Sequence, residues 1–332
     1  MSNRISLRQR AAAAAALFFL CCAAARTQQP TAPPAWPTRP VRIIVPFPPG
    51  GSTMEMVVRL LTQDMPKSLG RQVLVDNRPG AGTVIGVEMA AKSTDGHTFV
   101  GVANSFTVNQ TLLKALPYDT LKDLQPVVLM ARTPNVLAAH PSVAPATLKE
   151  LLAYAKKNPG KLTYASFGNG TTAHFAGEML KTMGGVQMVH VPYKGQGPAL
   201  ADLLAGNVDV MFGNLPDFLP QIRAGRLKAY GTTFLQRVAQ ASDIPTIAEQ
   251  GFPTFETDSW YGMLAPSSMP PEAVARMNAE INRALGEPAL RRIFVERGLE
   301  PIGGTPEKLG DHVRREIAKY AQIVKQANIR ID

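Results

Sequence analysis

Short apolar runs alternate with amphipathic stretches along nearly the whole chain. Val41-Arg42-Ile43-Ile44-Val45 is β-rich and ends at Pro46. Met56 to Met65 then places Val57, Leu60, Leu61 and Met65 on one face of a helix. Further strands are predicted at Val73 to Val75, Thr98 to Val102, Val127 to Met130, Leu162 to Ser166, Met188 to Val191, Val208 to Phe212 and Leu227 to Gly231. Among them, Thr147-Leu148-Lys149-Glu150 is a capping box opening a helix that stops at Asn158-Pro159-Gly160, and a shorter helix runs from Pro198 to Leu204. After a run from Trp260 to Ala265 the pattern becomes helical: Val274, Met277, Ile281 and Leu285 share one face, and Leu309, Val313, Ile317, Tyr320 and Val324 another. This alternation predicts an α/β chain with largely parallel sheets covered by helices on both faces. The two C-terminal helices are too little for a third domain, so they are expected to return to the first.

The beginning of the chain breaks the pattern. Arg4, Arg8 and Arg10 precede an uninterrupted apolar run from Ala11 to Ala25, closed by three alanines. This is the layout of a secretory signal peptide, 1–25, shorter than the roughly 20 apolar residues that span a bilayer. It implies a periplasmic or secreted location. Both cysteines, Cys21 and Cys22, fall inside it, so the mature chain would hold no disulfide and no thiolate site. Residues 26–37 read as a Pro-rich tether.

At 332 residues, 45% hydrophobic and 18% charged, the chain is long and apolar enough for two cores. Setting the three leader arginines apart from the formal +10 leaves about +7, spread without a basic run, so a nucleic-acid partner is not expected.

Candidate chemistry lies in Gly-rich turns between strands and helices: Pro48 to Thr53, Gly80 to Thr83, Gly168 to Thr172 and Gly195 to Gly197. Such turns let a ligand approach backbone amides at helix starts, and ordinary helix caps would look the same. Gly80 to Gly86 mimics a dinucleotide fingerprint, but Asn77-Arg78-Pro79 separates it from its strand and no acid follows at Ala103 to Ser105. No P-loop, nucleophile elbow or metal spacing of the five histidines occurs, so no cofactor and no metal are expected. His174, three residues after Thr171, could donate to a carboxylate or cap and pack. Trp260-Tyr261 could stack on a ligand but fits a core strand better.

Five blocks in order carry a resemblance: Val45-Pro46-Phe47-Pro48-Pro49-Gly50-Gly51, Asn77-Arg78-Pro79-Gly80-Ala81-Gly82, Leu116-Pro117-Tyr118-Asp119, Gly168-Asn169-Gly170-Thr171-Thr172-Ala173-His174, and Val191-Pro192-Tyr193-Lys194-Gly195 with Asp202 to Gly206. Over residues 38 to 332 the chain resembles the Bug (TctC-like) family of periplasmic solute-binding proteins. The resemblance implies a two-lobed type II periplasmic binding protein fold, each lobe a central, mostly parallel sheet flanked by helices. Lobe one would comprise 38–132 and 250–332, and lobe two 133–249. It further implies capture of a small carboxylate for a tripartite tricarboxylate-type permease by a monomer without catalysis. Carried over by position, Phe47, Pro48, Ser52, Thr53, Asn104 and Ser105 would line one side of the site. Gly168, Asn169, Thr171, Thr172, His174, Tyr193 and Asn214 would line the other. Two departures stand out: Met54 and Glu55 follow the Gly-Gly turn where the family usually has Asp, and Phe212-Gly213-Asn214 replaces Phe-Asp-Asn. Loss of an acid there argues against an amino-acid ligand. The rivals are a secreted α/β hydrolase or lyase using His174, and a ligand sensor for a membrane kinase.

Overall fold

The computed structural model describes residues 36–50 and 52–326. The leader and most of the Pro-rich segment lie outside the described residues.

The first sheet starts with β1 (Val41–Val45), β2 (Val73–Asn77) and β3 (Thr98–Val102), paired in parallel in the order β2-β1-β3. Within β1, Val41, Ile43 and Val45 join one core with Met54, Val57, Val58 and Leu61, while Ile44 joins a second with Val84, Val87 and Val100. Burial of both faces follows from the helices on either side: α1 (Thr53–Thr62) covers one, α3 (Val84–Ala91) the other, with short α2 (Met65–Leu69) beyond α1. The helix α4 (Asn104–Leu112) follows β3.

The strand β4 (Leu124–Ala139) is 16 residues long, far beyond the predicted Val127 to Met130. Its first part pairs antiparallel with β9 (Asp258–Pro266), down to Pro134 opposite Asp258, and with the two-residue β10 (Glu300–Pro301). Its last part, Asn135 to Ala139, pairs with β7 (Val210–Asn214) on one side and β8 (Lys228–Thr232) on the other. The second sheet continues from β7 through β5 (Thr163–Ser166) to β6 (Val189–Pro192), all parallel. Every antiparallel pairing involves β4 or β9. The sheets are therefore mixed, because the strands that cross between them run against those that carry the loops.

The second sheet again buries both faces. Leu137, Tyr164, Val210 and Phe212 face α5 (Leu148–Lys157) and α6 (Thr172–Gly184). Val136, Ala165 and Met211 face α7 (Gln196–Leu204) and α8 (Leu215–Arg223). The chain ends in α9 (Pro271–Gly286), α10 (Pro288–Glu296) and α11 (Pro306–Gln326). Met277, Ile281 and Leu285 of α9 pack on the first sheet's core, as do Leu309 and Val313 of α11 on its other face. Among the described residues no helix is long and apolar enough to cross a membrane.

Candidate functional site

In an open α/β sheet, ligands bind beyond the carboxyl ends of the strands, where helices begin. Both sheets turn such ends toward one another. The loops after β1, β3, β5, β6 and β7 lead into α1, α4, α6, α7 and α8, and these starts surround a cavity of about 200 Å³. Four of the five helices, α4, α6, α7 and α8, have no side-chain cap, so their first-turn amides lack a side-chain acceptor. Only α1 is capped, by Ser52 Oγ accepting from the Glu55 amide at 3.2 Å.

The described lining contains no charged side chain. Phe47, Pro48, Pro49, Met54, Ala103, Phe167 and Pro198 supply apolar surface; Ser52, Thr53, Asn104, Ser105, Thr171, Thr172, Gln196, Asn214, Ser259 and Tyr261 supply polar groups. Two contacts bridge the sheets. Pro48 Cγ lies 3.5 Å from where a Cβ on Gly195 would sit, and Leu112 and Val108 lie 2.9 and 3.1 Å from one on Gly170. Gly170 has φ +73°, so a larger residue there would meet both strain and that wall.

A hydrogen-bonded floor joins the sheets. Thr53 Oγ1 donates to Asp217 Oδ2 at 2.8 Å and accepts from Asn214 Nδ2 at 3.1 Å. Asn214 Oδ1 accepts from Ser259 Oγ at 2.7 Å and Asn135 Nδ2 at 2.8 Å, and Ser259 meets Thr172 Oγ1 at 2.8 Å. Gln196 bridges two neighbours: its Oε1 accepts from the Asn214 amide at 2.9 Å and its Nε2 donates to Asp217 Oδ2. Burial raises the Asp217 pKa above the ordinary carboxylate value, against the hydrogen bonds from Thr53 and Gln196. Tyr261, 3% exposed, has a buried hydroxyl with no partner among the described residues.

The sequence-predicted residues divide. Phe47, Pro48, Ser52, Thr53, Asn104, Ser105, Thr171, Thr172 and Asn214 all line the cavity; Gly168, Asn169, His174 and Tyr193 do not. Asn104 lines it by position, with its side chain spent on structure: Nδ2 donates to the Asp258 carbonyl and the Tyr320 hydroxyl, and Oδ1 accepts from the Trp260 amide. Gly168 turns the loop, its carbonyl accepting from Thr171 Oγ1 at 2.6 Å, and Asn169 is exposed. The Tyr193 hydroxyl donates to Asp202 Oδ2 at 2.7 Å. His174 caps and packs. Its Nδ1 accepts from the Gly170 amide at 3.2 Å, and its ring stacks on His190 at 4.3 Å, which stacks in turn on Tyr164. Burial lowers the His174 pKa, so it is neutral near pH 7. Ser259 and Phe167 also line the cavity and carry no sequence signal; Gln196, inside the Gly195–Gly197 turn, and Tyr261, read as core, line it too. Ser259 and Tyr261 alternate along β9, which puts both on the cavity side of a strand whose intervening Trp260 is core.

The two departures at the Gly-Gly turn and in β7 have structural explanations. Met54 is buried against Gly101, while Glu55 turns back: Oε2 accepts from the Gly50 amide at 2.7 Å and Oε1 from Arg59 at 2.8 Å. At Gly213 a Cβ would lie 1.9 Å from the Phe218 ring. No cluster of three metal-ligating side chains occurs among the described residues.

Comparison with known proteins places this geometry. Residues 57–329 match the family model described as "Tripartite tricarboxylate transporter family receptor". A protein encoded in the tcbD–tcbE intergenic region of Pseudomonas sp. strain P51 is 39% identical over 292 residues, covering 87% of each chain. Among solved structures, Rpa4515 of R. palustris with adipate superposes with a TM-score of 0.85 at 36% identity, covering 89% of this chain and 99% of that one. MatC of Rhodopseudomonas palustris with bound malate gives 0.81 at 31%, covering 87% and 100%. The chain belongs to the tripartite tricarboxylate transporter receptors, the Bug/TctC family of two-lobed periplasmic solute-binding proteins.

Proposed function

We propose that this chain captures a small carboxylate between its lobes and delivers it to a tripartite tricarboxylate-type permease. The observation that carries this is the convergence of five helix starts, four of them uncapped, on a cavity with no charged side chain among its described lining residues. A carboxylate there gains charge-assisted hydrogen bonds from amides and the favourable ends of the helix dipoles. Exclusion of water as the lobes close on the ligand strengthens those bonds. The acids bound by Rpa4515 and MatC support the same class.

The lobes in this reading are 38–132 with 250–332, and 133–249. Support comes from β4, whose partner changes from β9 at Pro134 to β7 at Asn135. The protein acts as a monomer in the periplasm, after removal of the leader near Ala25, and performs no chemistry on its ligand. The placement of His174 away from the cavity supports that last point, since it leaves a hydrolase or lyase without its proposed base.

The test is calorimetric titration of mature protein, unfolded and refolded to strip carried-over ligand, against di- and tricarboxylates, aromatic acids, acidic amino acids and neutral sugars. One-to-one saturable binding of a carboxylate with no consumption on prolonged incubation is expected. Binding of a sugar alone, or turnover of an acid, would overturn it.

A further inference from the structure

The five helix starts around the cavity fall into two groups, α1, α7 and α8 at one end and α4 and α6 at the other, and the groups differ electrostatically. At one end α1 and α7 are tied by Thr53, Asp217 and Gln196 and by the approach of Pro48 to Gly195. At the other, the starts of α4 and α6 bring Asn104, Ser105, Thr171 and Thr172 to the lining, and the later part of α4, Val108 and Leu112, packs against Gly170.

The α1–α7 end already holds carboxylates. Glu55 takes the Gly50 amide, Ser52 takes the Glu55 amide, and Asp217 takes the Thr53 hydroxyl and the Gln196 carboxamide. The third residue of α7 is Pro198, which has no N–H to offer. At the α4–α6 end neither helix has an acid in its first turn or a side chain on its first amides. Between the ends Tyr261 lines the cavity, and its buried hydroxyl has no hydrogen-bond partner among the described residues.

We propose that the cavity selects a ligand with one carboxylate, held on the amides of α4 and α6, whose far end is uncharged and accepts a hydrogen bond from Tyr261. The inference rests on the receptor function proposed above and narrows its ligand. A second carboxylate at the α1–α7 end would sit beside Asp217, and two carboxylates sharing a site cannot both stay ionised without cost. Burial already raises the Asp217 pKa, and a second carboxylate beside it would disfavour its ionised form further. Burial likewise holds the Tyr261 phenol protonated, and therefore a donor. In this the chain would differ from Rpa4515 and MatC, whose adipate and malate are both diacids.

The experiment compares matched pairs, each linear diacid from four to eight carbons against its own monomethyl ester, by calorimetry near neutral pH. For the chain length that binds tightest, the ester should bind about ten-fold more tightly than the diacid. Asp217→Asn keeps an oxygen to accept from Thr53 and Gln196 but removes the charge, and should bring the pair to within about three-fold. A diacid that matches or exceeds its ester, or a ratio unmoved by D217N, overturns the inference and leaves the receptor function standing. So does tighter binding of 6-aminohexanoate, which would make Asp217 a counter-ion. Silence from every pair and from the wider acid panel removes both.

Discussion

Thr53 Oγ1 and Asp217 Oδ2 lie 2.8 Å apart across the cleft, the hydroxyl of the first helix of one sheet donating to a carboxylate on the last helix of the other. The same hydroxyl accepts from Asn214, so one side chain holds two groups of the facing lobe. Such a latch favours the closed form only as far as its bonds differ between closed and open states. In Thr53→Val, Asp217 and Asn214 lose that partner, at about 1–3 kcal/mol for each group left buried. We expect weaker ligand binding, by about ten-fold or more, and a larger radius of gyration by small-angle X-ray scattering. Thr53→Ser should restore both. A valine variant as compact and tight-binding as the parent would show that the latch contributes nothing.

Helix caps separate stability from binding. Thr147 caps α5 through the Glu150 amide at 3.2 Å, and Ser52 caps α1 in the same way. Either alanine variant should cost about 0.5–2 kcal/mol in urea unfolding. Only Ser52→Ala should also weaken ligand binding, because Ser52 lines the cavity and Thr147 does not. Equal binding by the two variants would count against the role of the α1 start.

The stacked histidines give the fold a pH dependence of known sign. Burial, with His174 beside it, lowers His190 to about 4, and burial lowers His312 to about 4 as well. Unfolded imidazoles take up a proton below about 6.5. The folded chain thus binds fewer protons in this window, and the stability these groups contribute above it is lost as pH falls from about 6.5 toward 4. Buried Glu316 and Asp258, whose pKa values burial raises, act in the opposite sense. His190→Gln isolates one contribution: it should lose less stability than the parent between about pH 7 and pH 5. Proton NMR should find His190 and His312 uncharged at pH 6.

Glycine at position 177 sits inside α6, where alanine would ordinarily gain about 1 kcal/mol. Here the new Cβ would lie 2.1 Å from the ring of fully buried Tyr164, whose hydroxyl donates to Glu178. Overpacking costs about 1–3 kcal/mol, so the clash outweighs the propensity. Gly177→Ala should unfold at lower urea than the parent, and greater resistance would overturn the argument.

Elements with a plain apolar period or a cap signal were legible in the sequence. The Thr147 capping box, the four apolar positions of α9 and the β-rich run of β1 each announced their structure. The helix α4 did not, because Asn104, Ser105, Thr107 and Asn109 are buried beside Phe106 and Val108, leaving no polar-outside period to read. The length of β4 was hidden by Pro126 and Pro134, which look like strand ends. At the site, the Gly-rich loops were found by composition. Gln196 was marked only through its glycine neighbours and Tyr261 was read as core, since a carboxamide opening a helix and an aromatic in a strand are both commonplace, and only the cleft between two distant segments gives them a ligand to face. His174 shows the converse, a suggestive residue whose ring is committed to a stack.

The strand β4 serves two sheets, with β9 and β10 along its first part and β7 and β8 along its last. The two sheets are thus joined by continuous backbone within one strand. Cutting the chain at Thr133 would therefore leave two fragments, each with an open edge, rather than two independent halves. A hinge made this way is inherited by both partners at once, so an insertion that shifts its pairing by one residue would misalign a core and the cleft together.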